Sequence, residues 1–312
     1  MTAVVTFTPN PALDLLTHID RVSPTHKMRC SAVIKHPGGG GVNVARVLHR
    51  FGIGVTAVYP SGGVIGQAHH RLLHAEGVRS HVIAMDAETR ESFSVHEAQS
   101  GEDFRFVLPG PQLSPAQWQA CWDYLCQHWP RQFLVLSGGL APGMPDDAYA
   151  QLVRAAHAAQ VPVVLDANGP ALALALKAGG VALFKPSMSE LRSLTGAGLQ
   201  DPSQCVAAAR SLIQAGQAQR VAVSLGPQGA LLVTAQGAWR AQALSVPVQT
   251  TIGAGDSFVG GMVYGLCQGM SDAEAFRWGM AASAAALLSP GTPLCQWHDC
   301  QRLLPDVTVQ DC

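Results

Sequence analysis

The sequence predicts an α/β protein in which a mostly parallel sheet lies between two layers of helices, with a small β-sheet beside it. One observation is that short apolar, β-branched runs alternate with segments of helical periodicity, as in chains built of strand–helix–strand units. A second observation is that two further segments interrupt this order, and that one of them alternates with a period of two, which is typical of strands.

Four apolar runs predict strands of the main sheet: residues 133–136, 161–165, 181–184 and 221–225. Helix-periodic segments separate the first three, so these strands are expected to run parallel. In sheets of this kind, ligands bind beyond the carboxyl ends of the strands. Small and polar residues stand at those ends, in the segments 137–139, 166–169, 185–187 and 224–226. We therefore expect a binding site along this edge.

The interrupting segments cover residues of about 14–36 and 88–110. In the second, polar and apolar residues alternate at 92–96 and 104–108, which predicts a small antiparallel sheet. Each segment interrupts the main pattern rather than following it. We interpret the small sheet as a lid over the active site, within a single domain of residues 1–312.

Composition restricts the class of function. With 48% hydrophobic and 13% charged residues among 312, the chain can bury a large core and is not expected to be disordered. A net charge of -1 provides no field that would attract nucleic acid or an anionic membrane. The first residues lack a signal-peptide pattern, and the longest apolar run, 278–288, is too short to span a bilayer. We expect a cytoplasmic protein that acts on small molecules.

The eight cysteines show no regular spacing, which suits reduced thiols. Cys295, His298 and Cys300 are the exception, because three potential metal ligands fall within six residues. A structural zinc site needs four ligands, and no well-spaced fourth ligand is present in the sequence. A terminal helix with buried thiols is the preferred interpretation.

The segment 251–257, Thr-Ile-Gly-Ala-Gly-Asp-Ser, predicts an anion site at the start of a helix. Residues with little or no side chain let the backbone approach a phosphate, and the free amides and positive end of the helix dipole hold its charge. Apolar residues recur afterwards at helical spacing, which places Asp256 in the first turn. The alternative is an ordinary capped helix, since Asp and Ser favour first-turn positions.

A run of glycines, 38–41, precedes a second predicted helix. It is neither a Walker A loop nor a dinucleotide fingerprint, because the required spacings are absent. A flexible turn is the simple interpretation, but Asn43 at the helix start can donate to and accept from a sugar hydroxyl. Asp14 could accept two such bonds, although an isolated loop aspartate is often only a capping residue. The segment 224–230 predicts a hairpin turn whose glycines leave room for a nucleotide.

In their order and spacing, the Gly-Gly-Gly-Gly-x-Asn-x-Ala motif near residue 40, Ser-Leu-Gly-Pro-Gln-Gly near 226 and Gly-Ala-Gly-Asp-Ser near 255 resemble the PfkB (ribokinase-like) carbohydrate kinases. The resemblance covers essentially the whole chain. Within that family, the segments 27–30, 89–90, 104–110 and 291–295 are most similar to the branch of minor 6-phosphofructokinases.

The resemblance implies a three-layer core, a β-lid that often clasps a second lid in a homodimer, ATP as the donor and Mg²⁺ as the charge-neutralising ion. A monovalent cation such as K⁺, near residues 246–251 and 286–291, is left open.

The resemblance also implies roles for individual positions. Asp256 would be the catalytic base, with the amides of Gly253, Ala254 and Gly255 as the anion hole. Asp14, Gly38, Gly39 and Asn43 would bind the sugar, and Lys27 would contact the transferred phosphate. Lys185, Ser187, Ser224, Gly226, Gly229 and Gly255 would border the nucleotide.

An acceptor that already carries a phosphate needs fixed cations. Lys27, Arg29 and Arg90 are candidates, and Arg90 is preferred because a guanidinium can bind a phosphate through two N–H groups. Isolated basic residues on small sheets are usually solvated edge residues, so Arg29 and Arg105 are weaker candidates. Our hypothesis is transfer of the ATP γ-phosphoryl to O1 of fructose 6-phosphate. The alternatives are a tagatose-6-phosphate kinase, a 1-phosphofructokinase, and a catalytically weak nucleotide-binding regulatory protein.

Two positions depart from the family pattern. Where the family commonly has Asn-x-x-Glu, this chain has Ser187 and Glu190; with Asp166, these residues are the predicted ligands of hydrated Mg²⁺. Serine is shorter and lacks the amide donor, so we expect weaker metal binding. Gly139 stands where a serine is usual, which removes one possible contact to the acceptor.

Overall fold

The computed structural model describes residues 2–196, 198–199, 201–288 and 294–312. The strands in these ranges are β1 (Val4–Phe7), β2 (Ala12–Ile19), β3 (Ile34–Gly38), β4 (Val55–Gly62), β5 (Arg79–Met85), β6 (Arg90–Glu97), β7 (Asp103–Val107), β8 (Phe133–Ser137), β9 (Val163–Asp166), β10 (Leu183–Phe184), β11 (Arg220–Ser224), β12 (Ala230–Thr234), β13 (Ala238–Ala241) and β14 (Val309–Asp311). The α-helices are α1 (Gly40–Arg50), α2 (Gly63–Ala75), α3 (Pro115–Gln127), α4 (Ala148–Ala158), α5 (Gly169–Ala178), α6 (Met188–Thr195), α7 (Pro202–Gln214), α8 (Ala254–Cys267), α9 (Asp272–Ala286) and α10 (Trp297–Leu303).

The large sheet has the strand order β14-β13-β12-β11-β10-β9-β8-β1-β4-β5. The strands from β11 to β5 run parallel to their neighbours, whereas β12, β13 and β14 pair antiparallel. The predicted mostly parallel sheet is therefore confirmed. All four apolar runs form strands, although the third is shorter than predicted and is limited to Leu183–Phe184.

Helices cover both faces of this sheet because successive residues of a strand point to opposite sides. In β8, for example, Leu134 and Leu136 pack in one core with residues of α3, α4, α5 and α7. Val135 packs in the other core with residues of α1, α8 and α9. This two-sided burial explains why the central strands are apolar throughout rather than alternating.

The small sheet has the order β3-β2-β6-β7. The two outer pairs are antiparallel, as predicted, but β2 and β6 are parallel, so the small sheet is mixed and not antiparallel throughout. The reason lies in the connections. The strands β1 and β5 run in the same direction within the large sheet, and the chain continues from them into β2 and β6, respectively.

The predicted hairpin joins β11 to the antiparallel β12 through a 3₁₀ turn, Gly226–Gln228. Gly229 follows with φ of 93°, and a Cβ atom there would lie 2.0 Å from the carbonyl oxygen of Ala241. A glycine is therefore required at residue 229 by the close approach of β13, whatever the turn binds.

Near the end of the chain, α10 forms as expected. Cys295, just before this helix, and Cys300, within it, are both fully buried, as the preferred interpretation predicts. Trp297 of this helix stacks on Trp278 of α9. None of the described helices is long and apolar enough to cross a lipid bilayer.

Candidate active site

The helix α8 begins directly after Gly253, whose φ of 79° is left-handed. A Cβ atom on Gly253 would lie 2.5 Å from Leu294, so both the conformation and the available space require glycine. The amide of Ala254 makes only a long, 3.5 Å contact to the carbonyl oxygen of Thr251, and those of Gly253 and Gly255 donate to no other residue in the described ranges. These amides can therefore receive an anion, which is the geometry that the sequence predicts.

Asp256 lies in the first turn of α8, and its Oδ2 accepts a 2.8 Å hydrogen bond from Nδ2 of Asn43. Burial, and next the Asp166 carboxylate, raise the pKa of Asp256 from 3.8 to about 7, against the opposing effects of Asn43 and two nearby cations. A carboxyl group with a pKa near neutrality is well suited to accept a proton at cellular pH.

Two cavities share Asp256, Asp166 and Arg105. The Asp14 cavity, of about 240 Å³, is lined by Ala12, Asp14, Gly39, Gly40, Asn43, Arg90, Ser92, Arg105, Val107, Ser137, Gly138, Asp166, Ala167, Asn168, Glu190 and Asp256. The Gly253 cavity, of about 360 Å³, is lined by Asp103, Arg105, Asp166, Lys185, Thr251, Ile252, Gly253, Gly255 and Asp256. Both lie where the small sheet faces the carboxyl ends of the parallel strands, as the position of ligands in such sheets predicts.

Asp14, on β2, is the carboxylate that the small sheet contributes to the lining of the Asp14 cavity. Burial raises its pKa to about 6, although the charges of Arg105, Arg46 and Arg90 oppose this. A Cβ atom on Gly38 would lie 2.1 Å from Oδ2 of Asp14. Gly38 therefore makes room for this carboxyl group, while Gly39, with φ of 117°, itself lines the cavity.

Arg90, at the start of β6, also lines the Asp14 cavity. Its guanidinium donates to the carbonyl oxygens of Asn10 and Leu108, each at 2.9 Å, and of Pro11 at 3.4 Å. A guanidinium has five N–H groups in a fixed plane. The backbone thus holds the fork in place, and the remaining N–H groups can bind an anion in the cavity.

Arg105 reaches both cavities, although its position on a small sheet made it one of the weaker candidates in the sequence. Asp103, Arg105 and Val107 lie on the face of β7 that lines the cavities, whereas Phe104 and Phe106 alternate with them on the other face and line neither cavity. The alternation with a period of two in this segment indicated that Arg105 and the phenylalanines lie on opposite faces of the strand. It did not show which face of the strand would meet the site.

Lys27 and Arg29 are not brought together with Asp256. Both are exposed and line a separate cavity of about 520 Å³, together with His18 at the end of β2 and other residues of the connection between β2 and β3. In a single chain, the cations that reach the site are therefore Arg90, Arg105 and Lys185 rather than these two.

Lys185 stands beside the amide cradle in the Gly253 cavity. Its Nζ forms a 3.1 Å ion pair with Oδ1 of Asp166 and lies 3.7 Å from the position that a Cβ atom of Gly255 would occupy. Burial acts to lower the pKa of Lys185, but the carboxylates of Asp166, Glu190 and Asp256 outweigh it and raise that pKa. The ammonium therefore stays charged and can stabilise a transferring phosphoryl group.

Ser187 and Glu190 form a capping box at the start of α6. The amide of Glu190 donates to Oγ of Ser187 at 3.1 Å, and the amide of Ser187 donates to Oε2 of Glu190 at 2.7 Å. The serine oxygen, predicted to hold a metal-bound water, is thus already an acceptor for the helix. This contact explains how a serine is accommodated at residue 187.

The residues fit a phosphate-borne Mg²⁺ better than a metal held by protein alone. Within the described residues, no group of three or more His, Cys, Asp or Glu side chains is arranged to hold a metal ion. Asp166 and Glu190 nevertheless share the Asp14 cavity. One or two carboxylates, with waters and substrate phosphates, are the usual Mg²⁺ ligands in kinases.

The other predicted nucleotide residues do not line these two cavities. The amide of Ser224 donates to the carbonyl oxygen of Pro186 at 2.9 Å, and Ser224 pairs with Ser187, so it adjoins the capping box. Gly226 has open space where a side chain would stand. Residues 289–293 lie outside the described residues, and they include part of the segment 286–291 for which a monovalent cation was left open.

Asn168 belongs to the segment 166–169 that was expected at the binding edge, and it lines the Asp14 cavity, although no individual role was predicted for it. It occupies the N-cap position of α5, yet its side chain makes no capping hydrogen bond. Its Oδ1 lies 3.3 Å from the position that a Cβ atom of Gly139 would take. The space left by Gly139 therefore borders the Asn168 amide.

Several curated proteins are similar to this chain over nearly its whole length. ATP-dependent 6-phosphofructokinase isozyme 2 of Mycobacterium tuberculosis is 42% identical over 300 residues, covering 96% of this chain and 88% of that protein. The protein of the same description in Escherichia coli is 38% identical, with 97% and 98% covered. A 1-phosphofructokinase of Xanthomonas campestris is 35% identical, with 86% of each covered.

The fold agrees with these likenesses. The crystal structure of phosphofructokinase-2 from Escherichia coli, in complex with substrates and products, superposes with a TM-score of 0.95 at 37% identity, covering 98% of this chain and 99% of that one. Residues 8–299 match the pfkB family of carbohydrate kinases. With the amide cradle, Asp256 and the glycine run in the places described above, the chain belongs to the PfkB family of carbohydrate kinases.

Proposed function

We propose that this protein is an ATP-dependent 6-phosphofructokinase, which transfers the γ-phosphoryl group of ATP to O1 of fructose 6-phosphate. The observation that carries the proposal is the position of Asp256, which lines both cavities. On one side it has free amides and an ammonium that suit a phosphoryl group. On the other it has a carboxylate and two guanidiniums that suit a sugar bearing a phosphate.

The roles follow from the chemistry of each group. Asp14 accepts hydrogen bonds from sugar hydroxyls, and Arg90 and Arg105 bind the 6-phosphate, which already carries two negative charges. Asp256 takes the proton of the attacking hydroxyl. Because the transition state of phosphoryl transfer is loose, alignment and charge stabilisation matter more than a strong base.

The phosphoryl group would move along the line from the Gly253 cavity to the Asp14 cavity. The amides of Gly253, Ala254 and Gly255, with Lys185, stabilise the charge that develops on its oxygens. Asp166 and Glu190 would hold Mg²⁺ through water, and the ion would neutralise charge on the ATP phosphates. The names of the relatives from M. tuberculosis and E. coli, both ATP-dependent, support ATP as the donor.

Steady-state kinetics with an acceptor panel tests the proposal. The panel contains fructose 6-phosphate, tagatose 6-phosphate, fructose 1-phosphate and free fructose, each at saturating ATP and Mg²⁺. We expect the highest kcat/KM with fructose 6-phosphate. A higher value with free fructose contradicts the role of the two arginines, and ATP binding without acceptor-dependent ADP release indicates a regulatory protein.

The acceptor panel also distinguishes the proposed 6-phosphofructokinase activity from a second candidate, a 1-phosphofructokinase activity. The 35% identical relative from Xanthomonas campestris is named 1-phosphofructokinase, so the position of the phosphate on the acceptor needs its own measurement. Preference for fructose 1-phosphate would assign the chain to that activity. In either case the acceptor phosphate meets the same basic cavity.

We further propose that a second copy of the chain packs on the small sheet. The edge strands β3 and β7, together with the residue directly after β7, expose Ile34, Phe106 and Leu108 by 41–54%. An exposed apolar edge favours association. Sedimentation equilibrium tests this: Phe106→Asp should shift a dimer towards monomer, and a wild-type monomer at all concentrations contradicts the proposal.

A further inference from the structure

Arg46 heads the set of fully buried large side chains in the described part of the chain, yet it lines neither cavity. It lies on α1, three residues after Asn43. Burying a charged side chain is costly unless the charge is paired and hydrogen-bonded. The pairing is with Glu76, at the end of α2, which accepts from Nε of Arg46 at 2.9 and 3.0 Å and from Nη2 at 2.6 Å.

The remaining nitrogen of Arg46 faces the active site. Its Nη1 donates to Oδ1 of Asn43 and to the carbonyl oxygen of Pro37, both at 3.3 Å. Arginine has no acceptor atom, so the amide oxygen of Asn43 must point towards it. The NH₂ group of Asn43 must then point towards Asp256, whose ionised carboxylate can only accept.

A second set of contacts holds Glu76 in place. Arg50 donates to Oε2 of Glu76 at 3.0 Å and to the carbonyl oxygen of Cys295 at 3.2 Å. The amide of Cys295 in turn donates to Oγ of Ser257 at 3.4 Å, and Ser257 is the neighbour of Asp256. The contacts therefore connect Arg46 of α1 through Glu76 to Arg50, and Arg50 through Cys295 to the first turn of α8. The hydrogen bond between Asn43 and Asp256 closes the loop.

We infer that Arg46 is a positioning residue for phosphoryl transfer, acting by fixing the amide orientation of Asn43 so that its NH₂ group is directed at Asp256. The inference rests on the proposed role of Asp256 as the base. If the amide rotated by 180°, its oxygen would oppose the carboxylate, and Asp256 would lose both its donor and its alignment with the acceptor hydroxyl. Misplacing a reacting group by about 1 Å can cost about 100-fold in rate.

A graded series of substitutions tests this role. Arg46→Lys keeps a donor and the charge, Arg46→Gln keeps a donor only, and Arg46→Met keeps neither. We expect kcat to fall in that order, by up to about 100-fold for Met, while KM for ATP changes less than about twofold, because Arg46 does not line the Gly253 cavity. The control is Arg220→Met, which removes a partly exposed arginine that is paired with Asp272 at 2.6 Å and lines neither cavity.

A double-mutant cycle with Asn43→Ala separates positioning from stability. If Arg46 acts through Asn43, Arg46→Met lowers kcat in the wild-type background but has little further effect in Asn43→Ala. Equal loss in both backgrounds, or a kcat that follows the melting temperature across the series and the control, overturns the inference. A neutron structure of Arg46→Gln or Arg46→Met, in which the NH₂ group of Asn43 still points at Asp256 although kcat is reduced, also overturns it.

The test can still be interpreted if the acceptor is not fructose 6-phosphate. The ratios of kcat are taken with whichever acceptor of the panel the wild type phosphorylates best. Full activity of Asp256→Asn would show that the proposed function of Asp256 has failed. The coupling between Arg46 and Asn43 is a separate outcome, because it is measured with Asp256 unchanged.

Discussion

The side-chain amide of Asn43 donates a 2.8 Å hydrogen bond to Oδ2 of Asp256. The two residues are 213 positions apart in sequence and stand in the first turns of α1 and α8. Both helix starts follow glycines, so their backbones come close to the cavities without side chains between them. This contact fixes the carboxylate at the junction of the Asp14 and Gly253 cavities.

Asp256→Asn should remove most of the activity while leaving the protein at least as stable. Loss of a general base costs about 100- to 10,000-fold in kcat. Because burial raises the pKa of Asp256 to about 7, the folded state binds the proton more tightly than the unfolded state. The protonated carboxyl group of Asp256 therefore stabilises the folded state below pH 3.8, and this contribution to stability is lost as the pH rises to about 7.

Relative to wild type, the melting temperature of Asp256→Asn should therefore rise between about pH 4 and pH 7 and then stay constant. Thermal melts at several pH values measure this, with the exposed Asp306→Asn as the control. A variant that is inactive and also less stable at pH 8 would indicate structural damage rather than loss of a base.

The activity of the wild type should fall below neutrality. The base must be ionised, and the pKa of Asp256 of about 7 predicts that kcat/KM declines as the pH drops through that value. Asp14, with a pKa of about 6, predicts a second loss at lower pH because its protonated form accepts fewer hydrogen bonds. A pH profile of kcat/KM that is flat from pH 5 to pH 8 contradicts both assignments.

Arg105→Ala should lower kcat/KM for the phosphorylated acceptor by about 10- to 100-fold, the loss expected for one or two charge-assisted hydrogen bonds. The activity with free fructose should change little. Arg90→Ala should show the same selectivity but also a lower melting temperature, since Arg90 donates to three backbone carbonyl groups. Arg154→Ala, which removes an exposed arginine that lines neither cavity, is the control. Equal losses with every acceptor would mean that neither arginine binds the phosphate.

Local sequence patterns predicted the elements that depend on local chemistry. The strand β8, the hairpin at Gly226 and the helix start at Gly253 follow from runs of apolar residues and from glycine conformations, which neighbouring residues decide. The parallel pairing of β2 with β6 was not predictable in this way. It depends on the directions of β1 and β5, which lie far from each other in the chain.

The same distinction holds for the site. Asp256 and the amides before it could be predicted because they lie within one short motif. The contact between Arg46 and Glu76 could not, since it joins two helices that only the packed fold brings together. The face of β7 that carries Arg105 was likewise set by how the small sheet meets the large one.

Asn168→Ala should weaken acceptor binding without destabilising α5. Asn168 makes no capping hydrogen bond to its own helix, so the usual loss of about 1 kcal/mol for removing a cap is not expected. Its amide lines the Asp14 cavity, and its loss should raise KM for the acceptor severalfold. Thermal melts and kinetics measure the two effects. A cap-sized loss of stability with unchanged KM would show that the side chain serves the helix instead.

Ser187→Ala and Ser187→Asn should separate helix capping from metal binding. Both Ser and Asn cap helices well, whereas Ala costs about 1 kcal/mol, so only the Ala variant should lower the free energy of unfolding. If residue 187 also orients a water of hydrated Mg²⁺, the longer amide of Asn should lower the Mg²⁺ concentration needed for half-maximal activity. Titration of Mg²⁺ at fixed ATP measures this.

The control for that experiment lies in a second capping box, formed by Ser114 and Gln117 at the start of α3. Neither of these residues lines the Asp14 or the Gly253 cavity. Ser114→Ala should therefore cost similar stability and leave the Mg²⁺ requirement unchanged. If Ser114→Ala and Ser187→Ala raised the requirement equally, the effect would come from reduced stability, and Ser187 would have no part in holding the metal-bound water.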